Sequence, residues 1–306
     1  MSLAHRPHAD QAARLRVLAA EVGTTEAPRS AGVFVGGGGG GGGTGGGAVV
    51  AICSGKGGVG KTTFTVNAAA ILAKAGVRTI VVDLDIGVAN ADVLLGVSPQ
   101  TRLTRSSLAA GRLDELVTPT HLGFGLVAGV SGLRTAARLR PSELDGALLG
   151  LDRLRAHADL VLVDTGAGVG VESITLAATA DASVVVTTPE PASIADAYAA
   201  HKCIALCGIE AGGQPTPRSV LVVNMAKNRR EADDAARRID ATSRRFLGGA
   251  MPCVGWVRRD DRMHRSVRAR VPVAVDAPMC KVSKDLRRCA RAIWSACSVR
   301  CADVAH

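Results

Sequence analysis

The segment Gly55-Lys56-Gly57-Gly58-Val59-Gly60-Lys61-Thr62-Thr63 gathers glycine, ammonium and hydroxyl groups into nine residues. Glycines let a backbone turn tightly and aim several N–H groups at one anion. The spacing Gly55-x4-Gly60-Lys61-Thr62 is that of a phosphate-binding P-loop. In that chemistry Lys61 bridges the β- and γ-phosphates of a nucleotide and the Thr62 hydroxyl binds Mg²⁺. The loop also needs a strand to deliver it and a helix to follow it. The apolar run 49–53 and the stretch 61–75 supply both, and the helix adds the positive end of its dipole.

Carboxylates and amides close other apolar runs. Asp83 and Asp85 follow Val81-Val82, and Asp164 follows Leu160-Val161-Leu162-Val163. A carboxylate at a strand end beside the γ-phosphate can orient a water and receive its proton. For Asp83 a turn-capping role is the alternative. Asp164 reads as an unpaired acid that holds Mg²⁺ through water, and Gly166 and Gly168 give the loop after it freedom to move. Asn224 ends the run 221–224, and its amide can both donate to and accept from an adenine edge.

These residues require a particular scaffold. Short Val/Ile/Leu runs at 49–53, 78–83, 125–128, 160–164, 183–187, 220–224 and 252–257 alternate with helical stretches at 61–75, 141–156, 193–207, 230–246 and 284–296. Continuous apolar strands between helices predict an α/β fold: a P-loop NTPase-type, mostly parallel sheet with helices on both faces. In such sheets ligands sit at the carboxyl ends of the strands. Residues 1–21 contain a short amphipathic helix, and residues 22–47 end in a Gly run interrupted only by Thr44, read as a flexible linker. Residues 48–306 form the nucleotide-binding domain.

Hydrophobic residues make up 47% and aromatics only 2%, so Ala, Val and Leu must build the core. The eight cysteines include no Cys-x-x-Cys pair, which argues against a zinc knuckle and favours reduced thiols in a cytoplasmic protein. No run of about 18 apolar residues suggests a membrane span, and the N-terminus lacks a secretory h-region. The net charge of +10 gathers as arginines after Asn228, a feature that suits nucleic acid, an anionic membrane or simply a biased composition.

The segment Lys-Gly-Gly-Val-Gly-Lys-Thr-Thr, from Lys56 to Thr63, resembles the deviant Walker A motif of the MinD/ParA ATPases. The resemblance implies an ATP-dependent homodimer in which Lys56 reaches the partner's phosphates. It assigns Asp85 to the attacking water with Asp83 in support, Asn90 to dimer-side nucleotide contacts, and Asn224 to adenine. Asp164-Thr165-Gly166-Ala167-Gly168 and the stretch from Thr188 to Tyr198 are most similar to the FlhG group (also called FleN or YlxH), regulators of flagellar number and placement.

Asp10-Gln11-Ala12-Ala13-Arg14-Leu15-Arg16 is similar to that group's activating helix, which implies that Asp10, Gln11, Leu15 and Arg16 meet an FlhF-type GTPase. A flagellar transcription activator and flagellar switch proteins are further partners on this resemblance, with a location in the cytoplasm or peripherally at the inner membrane or cell pole. The alternative is a ParA-type partition ATPase binding nonspecific DNA through the basic C-terminal third. Residues 284–300 read as a last core helix, with an interfacial membrane helix as the other option. Arg258 departs from the family pattern by standing where proline is usual, while Asp260 is retained.

Overall fold

The computed structural model describes residues 46–86, 89–129, 138–210 and 219–303. In chain order the elements are β1 (Ala48–Cys53), α1 (Lys61–Lys74), β2 (Thr79–Leu84), α2 (Ala91–Leu95), α3 (Arg105–Ala109), β3 (Thr118–Pro119), β4 (Gly125–Val127), α4 (Pro141–Leu154) and β5 (Leu160–Thr165). They continue with α5 (Val171–Thr179), β6 (Ala182–Thr187), α6 (Pro191–Glu210), β7 (Ser219–Ala226), α7 (Arg229–Leu247), β8 (Cys253–Arg258), α8 (Asp261–Ala269), α9 (Val273–Asp276) and α10 (Lys281–Asp303).

The strands form one sheet in the order β3-β4-β2-β5-β1-β6-β7-β8, parallel except for the short β3–β4 edge pair. Every residue of β1, β2 and β5 is buried. Because side chains alternate along a strand, Ala48, Val50 and Ile52 enter one core and Val49, Ala51 and Cys53 the other. The first core is closed by α1 and α10, through Phe64, Leu72, Leu286 and Ile293. The second is closed by α4, α5, α6 and α7, through Leu151, Leu176, Ile204 and Ile239. This two-faced burial is why the strands read as unbroken apolar runs rather than alternating ones.

The expected strands and long helices are present within a few residues of their expected limits. Helix α6 begins at Pro191, two residues before the expected 193, because proline's fixed φ suits the first helical turn. The short elements α2, α3, α5, α8, α9 and β3 were not expected. Several span fewer than two helical turns, too little for a periodic apolar signal.

Helix α10 is a core helix. Leu286, Cys289, Ala290 and Ile293 are buried against the sheet, so its apolar side is already used within the domain. Among the described residues no helix is long and apolar enough to cross a membrane. The expected linker ends slightly early: the Gly47 N–H donates to the Arg155 carbonyl at 2.9 Å, and a Cβ on Gly47 would lie 1.9 Å from the Ala158 oxygen. Asp10, Gln11, Leu15 and Arg16, with the rest of residues 1–45, lie outside the described residues.

Candidate nucleotide site

Strand β1 lies between β5 and β6, so the loop 54–60 leaves the middle of the sheet at its carboxyl edge. Two close approaches fix this loop. A Cβ at Gly55 would fall 2.0 Å from the Asp196 carbonyl of α6, and one at Gly60 would fall 2.5 Å from Asn224 Nδ2. Gly60 also has φ of 84°, which other residues rarely adopt. Gly57 and Gly58, by contrast, face open space. Val59 anchors the middle of the loop in the core, and Thr62 and Thr63 are half-buried in the first turn of α1.

Asp164 is paired, which corrects the expectation of an unpaired acid. Lys61 Nζ donates to its Oδ1 at 3.0 Å, and both side chains are buried. A charge withdrawn from water needs such a partner, and Lys61 at the start of α1 is within reach. Burial pushes the Asp164 pKa up, and the Lys61 ammonium opposes the rise. Its second oxygen, Oδ2, is buried without a hydrogen-bond partner among the described residues. An orphaned carboxylate oxygen beside a threonine hydroxyl is a donor set that suits a hard divalent cation.

Asp83 stands directly opposite Asp164 in the parallel β2–β5 pairing. Its Oδ1 accepts the Asp85 N–H at 3.1 Å, and its Oδ2 accepts the N–H groups of Asn90 and Ala91, both at 3.0 Å. Asp83 is therefore the capping carboxylate that shapes the loop after β2. Burial first and the Asp164 charge second push its pKa up to about 7, against the pull of those three N–H groups. The folded chain thus takes up a proton on Asp83 at pH values where the unfolded chain does not.

The pH dependence follows with a definite sign. This contribution to stability is full below the unfolded carboxylate pKa, about 4, and is lost as pH rises to about 7. Thermal melts of the nucleotide-free protein should show that decline, and Asp83→Asn should flatten it while lowering stability overall.

Asp85 is the first residue beyond β2, and its Oδ1 would lie 3.9 Å from a Cβ on Gly166 in the loop after β5. That loop is tied to the phosphate loop: the Gly168 N–H donates to the Ser54 carbonyl at 2.9 Å. Asn90 keeps a buried Oδ1 without a hydrogen-bond partner among the described residues. Asn224 braces the phosphate loop, its Nδ2 donating to the Val59 carbonyl at 2.8 Å and its Oδ1 accepting the Met225 N–H at 2.9 Å. Lys56 Nζ sits 2.8 Å from Glu190 Oε2, at the threshold of α6.

Three features escaped the sequence reading. Met225 has φ of 58°, an uncommon value for a non-glycine residue, beside the loop it packs on. Nothing in the strand pattern 220–224 signals it. Arg258 replaces the usual proline with a function of its own: its Nε donates to the fully buried Asp285 at 2.5 Å while its guanidinium lies over Trp256. Glu190 stood within the segment from Thr188 to Tyr198, where nothing marked its carboxylate as a partner for Lys56.

A glycine loop between a buried strand and a helix, flanked by strand-end carboxylates in a parallel sheet, defines a P-loop nucleotide-binding protein. Residues 50–273 match the CobQ/CobB/MinD/ParA nucleotide binding domain, and the chain belongs to that family. It is 31% identical to the antiactivator FleN of Pseudomonas aeruginosa over 247 residues, covering 81% of this chain and 86% of that protein. It is 36% identical to the flagellum site-determining protein YlxH of Helicobacter pylori over about half of each, 50% and 52%. The fold matches the septum site-determining protein MinD of Pyrococcus horikoshii, solved with Mg-ADP, at a TM-score of 0.66 and 20% identity, covering 80% of this chain and 95% of that one.

Proposed function

We propose that the chain is an ATP- and Mg²⁺-dependent switch ATPase that dimerises and regulates flagellar number or placement. The observation that carries the ATPase reading is the convergence of Lys61, Asp85 and Asp164 around one phosphate loop. Similarity to FleN and YlxH supports the flagellar output. Residues 55–63 cradle the phosphates with backbone N–H groups, and Lys61 moves from Asp164 to the β- and γ-oxygens. Thr62 and the freed Asp164 would hold Mg²⁺, which would supply charge neutralisation to the phosphates.

Asp85 orients the attacking water and receives its proton, while Asp83 holds the loop that carries Asp85. Lys56 completes the phosphate site of a second copy. Asn90 contributes from the dimer side, and Asn224 reads the adenine edge on exchanging its present contacts. Asp10, Gln11, Leu15 and Arg16 stimulate an FlhF-type GTPase, and a flagellar transcription activator is the second target. Switch proteins and a peripheral polar location belong to the same reading.

Nonspecific DNA binding through residues 229–245 has less support. Arg229, Arg237 and Arg244 of α7 are each paired with an acid of the same helix, Asp233, Asp234 and Asp240. The flagellar reading is tested by adding a peptide of residues 1–25 to an FlhF-type GTPase. The expected result is faster GTP turnover, reversed by Gln11→Ala. Unchanged turnover would overturn the assignment of that partner.

A further inference from the structure

Of the two lysines of the phosphate loop, Lys61 meets Asp164 and Lys56 meets Glu190. The Lys56 Nζ meets Glu190 Oε2 at 2.8 Å, across 134 positions of sequence. The contact is held at both ends. At one end the Ser54 hydroxyl donates to the Lys56 carbonyl at 3.0 Å. At the other, Glu190 directly precedes Pro191, whose helix α6 presses the Asp196 carbonyl against Gly55. Loop and helix are thus in van der Waals contact a few residues from the ion pair, so Glu190 stays within reach of the lysine. Lys56 lowers the Glu190 pKa through hydrogen bond and charge, and Arg259, just beyond β8, acts on it more weakly in the same sense.

We propose that Glu190 is a positioning residue that restrains Lys56 within its own subunit and so sets the protein concentration at which ATP-bound copies pair. The proposal rests on the reading that Lys56 acts in trans on a second copy's phosphates. A lysine is a compact charge on a flexible four-carbon stem, so one side chain can serve either partner but not both at once. The side chains of Lys56 and Glu190 are 32% and 69% exposed. A pair this open is weak and salt-sensitive, which suits a restraint that must break. When Lys56 departs, Arg259 remains to balance the Glu190 carboxylate, so the released acid is not stranded.

Symmetry squares the effect. Each dimer breaks two such pairs, and a factor of about two for each exposed pair gives about fourfold in the dimer dissociation constant. The expected result for Glu190→Gln is therefore a dimerisation midpoint about fourfold lower in protein concentration. It would be measured by sedimentation velocity with Mg²⁺ and the non-hydrolysable β,γ-imido analogue of ATP. Glu190→Ala should shift it in the same direction. ADP affinity of the monomer and the melting temperature should stay at parental values, which a merely structural role for Glu190 would not allow. The shift should disappear near 1 M salt.

Unchanged or raised midpoints in both Glu190 variants at low salt would overturn the restraint. A Lys56→Ala arm separates the two readings. If Lys56→Ala pairs as readily as the parent, the trans role itself fails. If Lys56→Ala stays monomeric while the Glu190 variants match the parent, only the restraint fails.

Discussion

Lys61→Ala is expected to lose ATP affinity by at least about 100-fold and, separately, to destabilise the nucleotide-free chain. The second loss arises because Lys61 is the buried counter-charge of Asp164 before any nucleotide arrives. Removing one member of a buried pair leaves the other uncompensated, at about 3 kcal/mol. For a domain of this size that corresponds to a fall of roughly 6–12 °C in Tm. Isothermal titration and a thermal melt read the two effects independently. Asp164→Asn added to Lys61→Ala should recover most of the Tm but none of the ATP binding. If the Tm does not recover, the buried-charge account fails.

The same substitution carries a pH signature. Burial already pushes the Asp164 pKa up, and Lys61 is the largest influence opposing that rise. Without the lysine the folded carboxyl binds its proton more tightly still. A raised folded pKa means stability that is full below the unfolded value and declines as pH climbs through the folded one. The Tm deficit of Lys61→Ala should therefore shrink as pH falls, and vanishing dependence on pH would contradict the assignment.

Much of this site was legible before any coordinates. The glycine spacing, Lys61-Thr62 and the carboxylates at strand ends are local signals, and each lies beside an apolar run long enough to recognise. The sheet followed for the same reason, since strands buried on both faces carry no alternation to obscure them. What the sequence withheld are pairings between distant segments. Lys61 with Asp164, Lys56 with Glu190 and Asn224 with Val59 join residues 103, 134 and 165 positions apart. Asp83 was read with two possible roles, and only its three accepted N–H bonds favour the cap. Arg258, a departure from the family pattern in the sequence, has its partner in Asp285, buried on α10 and 27 positions away.

Asp85→Ala is expected to lower ATP hydrolysis by about 100-fold or more while leaving ATP binding within a few-fold of the parent. The asymmetry follows from where the three carboxylates stand relative to the phosphate loop. Asp164 is spent on Lys61, and Asp83 is spent on three backbone N–H groups. Asp85 is half-buried beyond the end of β2, where its Oδ1 faces Gly166 on the loop bound to the Ser54 carbonyl. It is thus the acid placed to meet a water between the phosphate loop and the loop after β5. Asp83→Ala should behave differently, losing hydrolysis together with stability, because it removes the cap that aims Asp85. Phosphate release at saturating ATP, set beside gel filtration of the same samples, distinguishes them. Asp85→Ala should accumulate as ATP-bound dimer if, as proposed, pairing needs bound ATP and separation needs hydrolysis. Phosphate release at the parental rate would take Asp85 out of the reaction and leave Asp83, with its pKa near 7, as the remaining strand-end acid able to accept the proton.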